Sequence, residues 1–166
     1  KNGPSERRKF VDMELFQIDK YYLYNLNQYN KIINQRNKLL KDFYFNSDLN
    51  ETLQVWNMQL VTYGKQLISR RETFVNQLNE IIYEIHKNLS GGKEELVIVY
   101  EPNVSEEDFE YKLKNYQEKD IKLKMTSVGP HRDDFCFMIN GVDIRKYGSQ
   151  GQQRTAALSL KLAEIE

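Results

Sequence analysis

The sequence holds one cysteine, three prolines and eight glycines in 166 residues, and its 24 acidic side chains match its 24 basic ones. Each shortage excludes something. A lone Cys136 excludes an intrachain disulfide and fits a reducing compartment. It lies in the apolar run Phe135-Cys136-Phe137-Met138-Ile139, where a small buried core residue is the favoured reading over a reactive thiol. A net charge of zero gives no support to non-specific nucleic-acid binding, which needs a concentrated positive field. No apolar stretch approaches the roughly 20 residues that cross a bilayer, and no signal peptide is visible. The expected location is the cytoplasm. The chain opens on Lys1 and ends at Glu166 inside a helical pattern with no breaker behind it, so a piece of a longer protein is expected.

What breakers there are fall unevenly. The prolines are Pro4, Pro102 and Pro130, and most glycines lie after residue 90, which divides the chain into a helical arm over 1–89 and a mixed lobe over 90–166. Ser5 is the expected N-cap of a first helix through Val11. A longer helix follows from about Asp19 to Asp42, with Tyr22, Leu26, Tyr29, Ile33, Arg36 and Leu40 alternately four and three apart. The polar loop Asn46 to Asn50 interrupts this pattern. It resumes at Leu53, Trp56, Leu60, Tyr63, Leu67, Arg70, Phe74, Leu78, Ile81 and Ile85. That alternation puts one seam along each of two long helices, and the short loop makes them antiparallel, a coiled-coil-like arm projecting about 35 Å. Arg36 and Arg70 are expected to lay their stems along the seam and keep their charges in water.

Beyond Leu89, Ser90-Gly91-Gly92 reads as a glycine C-cap and turn. Glu95 to Tyr100 reads as a strand. Ser105 is the expected N-cap of a helix running to about Lys124, although Ile121, Leu123 and Met125 also alternate as a strand would. Phe135 to Ile139 reads as a strand covered on both faces, Asn140-Gly141 as a hairpin turn and Val142 to Ile144 as the return strand. A last helix spans Gln150 to Glu166, with Ala156, Ala157, Leu160 and Ala163 on one stripe. The fold class is α+β: a long antiparallel helical hairpin, then a lobe with a small β-sheet.

The informative stretch is Tyr147-Gly148-Ser149-Gln150-Gly151-Gln152-Gln153-Arg154-Thr155-Ala156-Ala157-Leu158. Free backbone N–H groups at a helix start, with the positive dipole end behind them, make a ready anion site. Ser149 and Gln152 add donors, and Gly151 lets a ligand approach the backbone. On physics alone an ordinary capped helix is favoured over a phosphate site. A phosphate-binding P-loop ending at Gly92-Lys93 fails twice, because Lys87 stands where its first glycine belongs and Glu94 where it needs Ser or Thr. His131 beside Arg132, Asp133 and Asp134 is favoured as a structural network over a metal site, and no metal ligands are assigned. His86 near a helix end favours the C-terminal dipole. Arg7, Arg8 and Lys9 are equally a solvated helix face or a DNA-phosphate contact.

Against the Leu-Ser-Gly-Gly-Gln signature of ABC-type ATPases, Ser149, Gly151 and Gln152 match, whereas Gly148 and Gln150 depart in the manner of RecF proteins. Val128-Gly129-Pro130-His131-Arg132-Asp133-Asp134, Gly3 to Asp12, Gln35-Arg36-Asn37-Lys38-Leu39-Leu40, Trp56, Glu84-Ile85-His86 and Ser90 to Leu96 follow the same order. The whole chain resembles the RecF family of DNA replication and repair ATPases. The resemblance implies a Rad50- and SMC-like ATPase head in which Ser149, Gln150, Gly151 and Gln152 touch ATP held by a second subunit. It implies ATP and Mg in the longer protein and an ATP-driven homodimer. The implied partners are gapped, single-stranded and double-stranded DNA, with RecR and RecO, in recombinational repair, replication restart and the SOS response. Gly129 to Asp134 become a structural motif. The strand Leu96 to Glu101 superficially resembles a magnesium-site strand, but the family places that strand beyond residue 166. With both nucleotide-gripping motifs absent and no catalytic residue assigned, this chain alone is expected neither to hydrolyse ATP nor to bind it tightly. The alternative is a helical protein–protein interaction module with no nucleotide role.

Overall fold

The computed structural model describes residues 3–43, 48–147, 149–152, 155–156 and 159. Its first helix, α1 (Pro4–Ile18), starts one residue before the expected cap. Gly3 supplies the first carbonyl, accepting from the Glu6 and Arg7 amides at 3.1 and 3.2 Å. Pro4 takes the first helical position, where its fixed φ helps and its missing N–H costs nothing. Ser5 is therefore inside the helix and caps nothing.

Helices α2 (Lys20–Asp42) and α3 (Leu49–Leu89) are the two long helices that the spacing predicts. Asp19 caps α2, its carboxylate accepting from the Tyr21 and Tyr22 amides. The same carboxylate takes the Arg70 guanidinium at 2.8 Å. Further along, Tyr24 meets Tyr63 edge-on and Arg36 Nε donates to Asn57 Oδ1 at 2.7 Å. Going along α2 from Asp19 to Arg36, the partners on α3 run backwards from Arg70 through Tyr63 to Asn57, which is the antiparallel register. Gly64 is required here: a Cβ on it would lie 2.3 Å from Phe109 Cε2 and 3.1 Å from Tyr29 Cε2.

Leu53, Leu60 and Leu67 are buried as the seam predicts, but further on the buried face moves by one residue. Arg71, Ile82 and His86 are buried where Arg70, Ile81 and Ile85 were expected. A straight helix turns every 3.6 residues, so a strict 3.5-residue seam drifts around it over several turns. α3 stops in a Schellman motif, in which Gly92 N–H bonds Lys87 O and Gly91 N–H bonds Asn88 O. Gly91 and Gly92 have φ of +69° and +80°, the left-handed region where glycine is unstrained.

The strands β1 (Leu96–Glu101), β2 (Asp134–Ile139) and β3 (Val142–Asp143) form one antiparallel sheet in chain order. Asn140 and Gly141 turn the β2–β3 hairpin with φ of 51° and 80°, the primed turn that suits strand twist. Ile144 leaves the expected return strand and opens a short helix, α6 (Ile144–Tyr147), because the Asp143 carboxylate accepts the Arg145 amide at 2.9 Å. The free edge of β1 is occupied by a side chain. Asn79 of α3 donates to Ile98 O and accepts from Ile98 N, both at 2.8 Å. It thereby mimics the peptide of a neighbouring strand and closes an edge that would otherwise pair with another chain.

Between β1 and β2 lie α4 (Phe109–Asn115) and α5 (Gln117–Leu123). Ser105 Oγ accepts the Asp108 amide, but it holds a turn, and regular helix begins only at Phe109. The helix breaks once, at Tyr116, and ends at Lys124 in a left-handed conformation. The strand alternative over Ile121 to Met125 is thereby excluded. Among the expected features, Asn46 and Ser47, and the stripe residues Ala157, Leu160 and Ala163, lie outside the described residues; Ala156 is helical and buried.

Two compact units emerge, and they cut across the linear division at residue 89. One comprises Lys1–Phe10, Arg71–Glu101 and Asp134–Glu166, the other Val11–Arg70 and Pro102–Asp133. The second unit corrects the expectation for Arg36. Its side chain and that of Asp120 are both 0% exposed and bonded at 2.8 Å. Arg36 also donates to Asn57 Oδ1 and Thr126 Oγ1, while its Nη2 is buried with no partner among the described residues. Desolvation dominates and lowers the guanidinium pKa, with the Asp120 charge opposing it. Arg70, by contrast, keeps 28% of its side chain exposed beside Asp19.

Removing one partner of a buried ion pair strands the other charge at about 3–5 kcal/mol. Urea denaturation is expected to find Arg36→Met and Asp120→Leu each destabilised by about that much, and the double variant Arg36→Met/Asp120→Leu destabilised by less than the sum. Additive losses would show that the two residues do not act as a pair.

Candidate functional site

The stretch singled out in the sequence opens a helix that the structure describes at Gln150, Gly151, Gln152, Thr155, Ala156 and Ser159. Its start is a reciprocal capping box. Ser149 Oγ accepts the Gln152 amide at 3.1 Å, and Gln152 Oε1 accepts the Ser149 amide at 3.1 Å. The Ser149 N–H is thus taken up by its own cap. The residue itself stays exposed, as do Gln150 and Gly151. Among the described residues, a Cβ on Gly151 would meet only Ser149 Oγ, at 3.8 Å. Among the described residues, no acceptor takes the Ser149 hydroxyl proton.

Behind the cap lies a set of contacts that sequence reasoning missed. Gln152 Nε2 donates to Glu94 Oε2 at 3.1 Å, and Glu94 Oε1 faces His86 Nε2 at 3.1 Å. His86 Nδ1 stands 2.8 Å from Ser159 Oγ. His86 was expected to serve only a helix dipole, yet it is fully buried and bonded at both ring nitrogens.

The other unit holds Gly129, Pro130, His131, Arg132 and Asp133, five of the six residues that the expected structural motif comprises. Gly129 has φ +141°, and a Cβ there would lie 2.2 Å from Tyr29 Oη. Pro130–Arg132 make one 3-10 turn. His131 Nε2 donates to Thr126 O at 2.7 Å, and Nδ1 meets Tyr29 Oη at 2.7 Å. Asp133 is buried and accepts the Asn103 amide at 2.8 Å, and the Asn103 side chain in turn accepts the Gly129 amide. Among the described residues, no three His, Cys, Asp or Glu side chains group as a metal site would require.

Asp134 belongs to the unit holding the sheet, where it takes Arg7 through two hydrogen bonds of 2.7 and 3.1 Å. Arg145 grips the same carboxylate at 2.9 Å together with Glu101 at 2.8 Å and Asp143 at 2.7 Å. Arg7, Glu101, Asp134 and Arg145 line a cleft, and its charges pair with one another. Arg7, one of the candidate DNA contacts, is therefore committed to the protein's own carboxylate. Arg8 is half-buried and already has a partner, while Lys9 is exposed. Of the three, Lys9 alone projects an unshielded charge. Beneath the cleft, Cys136 is a buried free thiol, pushed up to about 11 chiefly by burial.

No protein-family model matches the chain. It is 64% identical over 166 residues to the DNA replication and repair protein RecF of Lachnoclostridium phytofermentans, covering 100% of the chain and 46% of that protein. It is 42% identical over 176 residues to the same-named protein of Acetivibrio thermocellus, covering 100% of the chain and 48% of that protein. The chain spans about half the length of these relatives. A solved structure described as the recombination mediator protein RecF-ATPrS in the RecFOR pathway superposes with a TM-score of 0.91 at 38% identity, over 99% of this chain and 47% of that one.

The chain belongs to the RecF family.

That membership makes the α+β architecture a RecF architecture. Among the described residues, no helix is long and apolar enough to cross a membrane. Within this RecF-family fold the Arg145 cluster has a pH signature. Asp143 is held down at about 2, first by its hydrogen bond from Arg145. For Asp134, burial pushes upward, but the Arg7 and Phe135 donors and the two guanidinium charges carry it below the ordinary value. Depressed carboxylates stabilise the fold above their unfolded pKa, near 4, and lose that contribution as pH falls toward the folded value. Arg145→Met is expected to cost on the order of 1–2 kcal/mol at neutral pH. The gap to wild type should narrow between about pH 4 and pH 2 in urea titrations. A gap that stays constant down to pH 2 would show that Arg145 acts only by packing.

Proposed function

We propose that this chain is the part of a RecF-like, ATP-dependent DNA-binding protein whose Ser149–Gln152 turn contacts ATP held by a second subunit. The observation that carries this reading is the open, exposed turn at the mouth of the helix. The cap uses Ser149 Oγ as an acceptor, which leaves its hydroxyl proton available to donate. The first-turn amides after Ser149 lie at the positive end of the helix dipole. A hydroxyl, backbone N–H groups and a dipole suit the terminal phosphate of a nucleotide, which carries several negative charges. ATP, with its Mg, would be gripped by parts of the longer protein, and its binding would join two copies around gapped, single-stranded or double-stranded DNA. Hydrolysis would then release them. RecR and RecO are the partners this reading implies, in a cytoplasmic repair pathway that also serves replication restart and the SOS response. The arm over 1–89 and the lobe over 90–166 would serve as spacer and nucleotide-contact parts. The 166-residue chain alone would show no ATP turnover above background.

A second reading makes the arm a protein-docking module. It is favoured by apolar side chains left in solvent on the helices, notably Tyr21 at 82%, Met58 at 71% and Ile18 at 65% exposed.

Ser149→Arg in the full-length protein separates the two. Placing a long cation in the turn is expected to weaken ATP-dependent dimerisation by tenfold or more, read by analytical ultracentrifugation with a non-hydrolysable ATP analogue. Unchanged dimerisation would refute the nucleotide reading and leave docking as the function.

A further inference from the structure

The neutral total conceals a local imbalance in the unit that holds the helical hairpin. Over 112–124, Lys112, Lys114, Lys119, Lys122 and Lys124 stand exposed against one exposed carboxylate, Glu118. Asp120 does not offset them, because it is buried and bonded to Arg36. The short helices α4 and α5 sort these charges by face. Phe109, Leu113, Asp120 and Ile121 turn inward. Helical bonding carries across the break, from the Tyr116 amide to Lys112 O and from the Asp120 amide to Tyr116 O, both at 2.9 Å. Lys112, Tyr116 and Lys119, four and three apart, therefore follow one outward stripe. The Lys119 ammonium stands 5.4 Å from the Tyr116 ring centroid. Tyr111 and Lys122 flank this stripe, while Glu110, Lys114 and Glu118, each four apart, run along its edge.

A solvated helix face is ordinarily mixed in sign, since carboxylates and ammonium groups four apart support each other. Here Lys112, Lys119 and Lys122 take no carboxylate among the described residues. Arg7, Arg36, Arg70 and Arg145, by contrast, are each held by one. The stripe also leaves rings in solvent, Tyr111 at 67% and Tyr116 at 41% exposed. Cations interleaved with open rings fit a single nucleic-acid strand, whose phosphates meet the ammonium groups and whose unpaired bases stack on the rings. An acidic polypeptide would use the charges and leave the rings idle, and a duplex keeps its bases stacked on one another. We propose that the outward face of α4 and α5 contacts the single strand of the DNA through Lys112, Lys119, Lys122, Tyr111 and Tyr116. This rests on the DNA-binding part of the proposed function and supplies the contact surface that Arg7 does not. The face is held from behind: Phe109 fills the space over Gly64 and Asp120 is bonded to Arg36. The helices are thus in place before the strand arrives, which lowers the cost of ordering them.

The test uses full-length protein with a non-hydrolysable ATP analogue. Fluorescence anisotropy follows binding of a labelled single strand without self-pairing, and of a duplex of equal length, over a salt series. Lys112→Gln/Lys119→Gln/Lys122→Gln is expected to weaken single-strand binding about tenfold or more. It should also flatten the slope of log affinity against log salt by about 2, from three phosphate contacts at roughly 0.7 each. Tyr111→Leu, which removes the ring and keeps an apolar side chain, is expected to weaken the single strand about fivefold or more and to leave the duplex as in wild type. Both variants should dimerise with ATP as wild type does, because none of these residues belongs to the signature turn. An unchanged salt slope in the triple variant overturns the proposal, and so does a Tyr111→Leu loss of equal size on strand and duplex. Retained oligonucleotide binding with lost binding of poly-glutamate would assign the lysines to an acidic protein and overturn it as well. Wild-type protein that binds no DNA at any salt sinks the DNA-binding reading itself. A wild type that binds, matched by an equally binding triple variant, sinks this proposal alone.

Discussion

The unit that holds the helical hairpin depends on the buried bond between Arg36 and Asp120. One guanidinium on α2 meets Asn57 on α3, Asp120 on α5 and Thr126 in the following loop. Thr126 is also held by Asn37, through its amide at 2.9 Å and its hydroxyl at 2.7 Å. Its carbonyl receives His131. Two sequence motifs 90 or so residues apart, one around Arg36 and one around His131, are thus joined through a single threonine. Burying a charge is costly unless it is paired and bonded. The cost makes the arrangement specific, because a slip of α2 against α3 would separate Arg36 from all three acceptors.

The unit that holds the sheet uses the same logic at its surface. Arg145 binds carboxylates from all three strands, Glu101, Asp134 and Asp143, and Asn79 closes the outer edge of β1. A three-stranded sheet whose last strand has two residues has few backbone bonds of its own. Side chains supply the remainder. The Arg7 and Arg145 charges of the cleft are paired internally with Asp134 and Glu101.

Periodicity made the long helices legible, because an amphipathic helix repeats its burial every three or four residues. The Asn140-Gly141 turn was legible because its backbone admits few residue types. Local chemistry decided where the readings failed. Ser5 lost its cap to Gly3 because Pro4 starts helices well, and Ile144 left its strand because Asp143 caps the next turn. The roles of Arg36 and His86 were illegible for another reason. Each depends on partners far along the chain, Asp120 and Ser159, and spacing on one helix cannot show what another segment brings to it. Arginine at a seam position defaults to a wet charge, unless a carboxylate elsewhere is placed to meet it. The signature turn stands between these cases. Its residues were found by pattern, but the reciprocal use of Ser149 and Gln152 required coordinates.

That reciprocal use bears on how a cap and a ligand can share one serine. A capping box consumes the Ser149 amide and one lone pair of its hydroxyl oxygen. A fully ionised phosphate accepts hydrogen bonds and donates none, so the lone pair is of no use to it, whereas the Ser149 N–H is a donor the cap takes away. What the cap leaves to Ser149 as a donor is its hydroxyl proton. On the nucleotide reading, a serine held by Gln152, itself held by Glu94 and His86, would lose little freedom on meeting a phosphate, so less of the binding energy would go to ordering the site. The rigidity of the turn and its openness to solvent are in this way two results of the same set of hydrogen bonds.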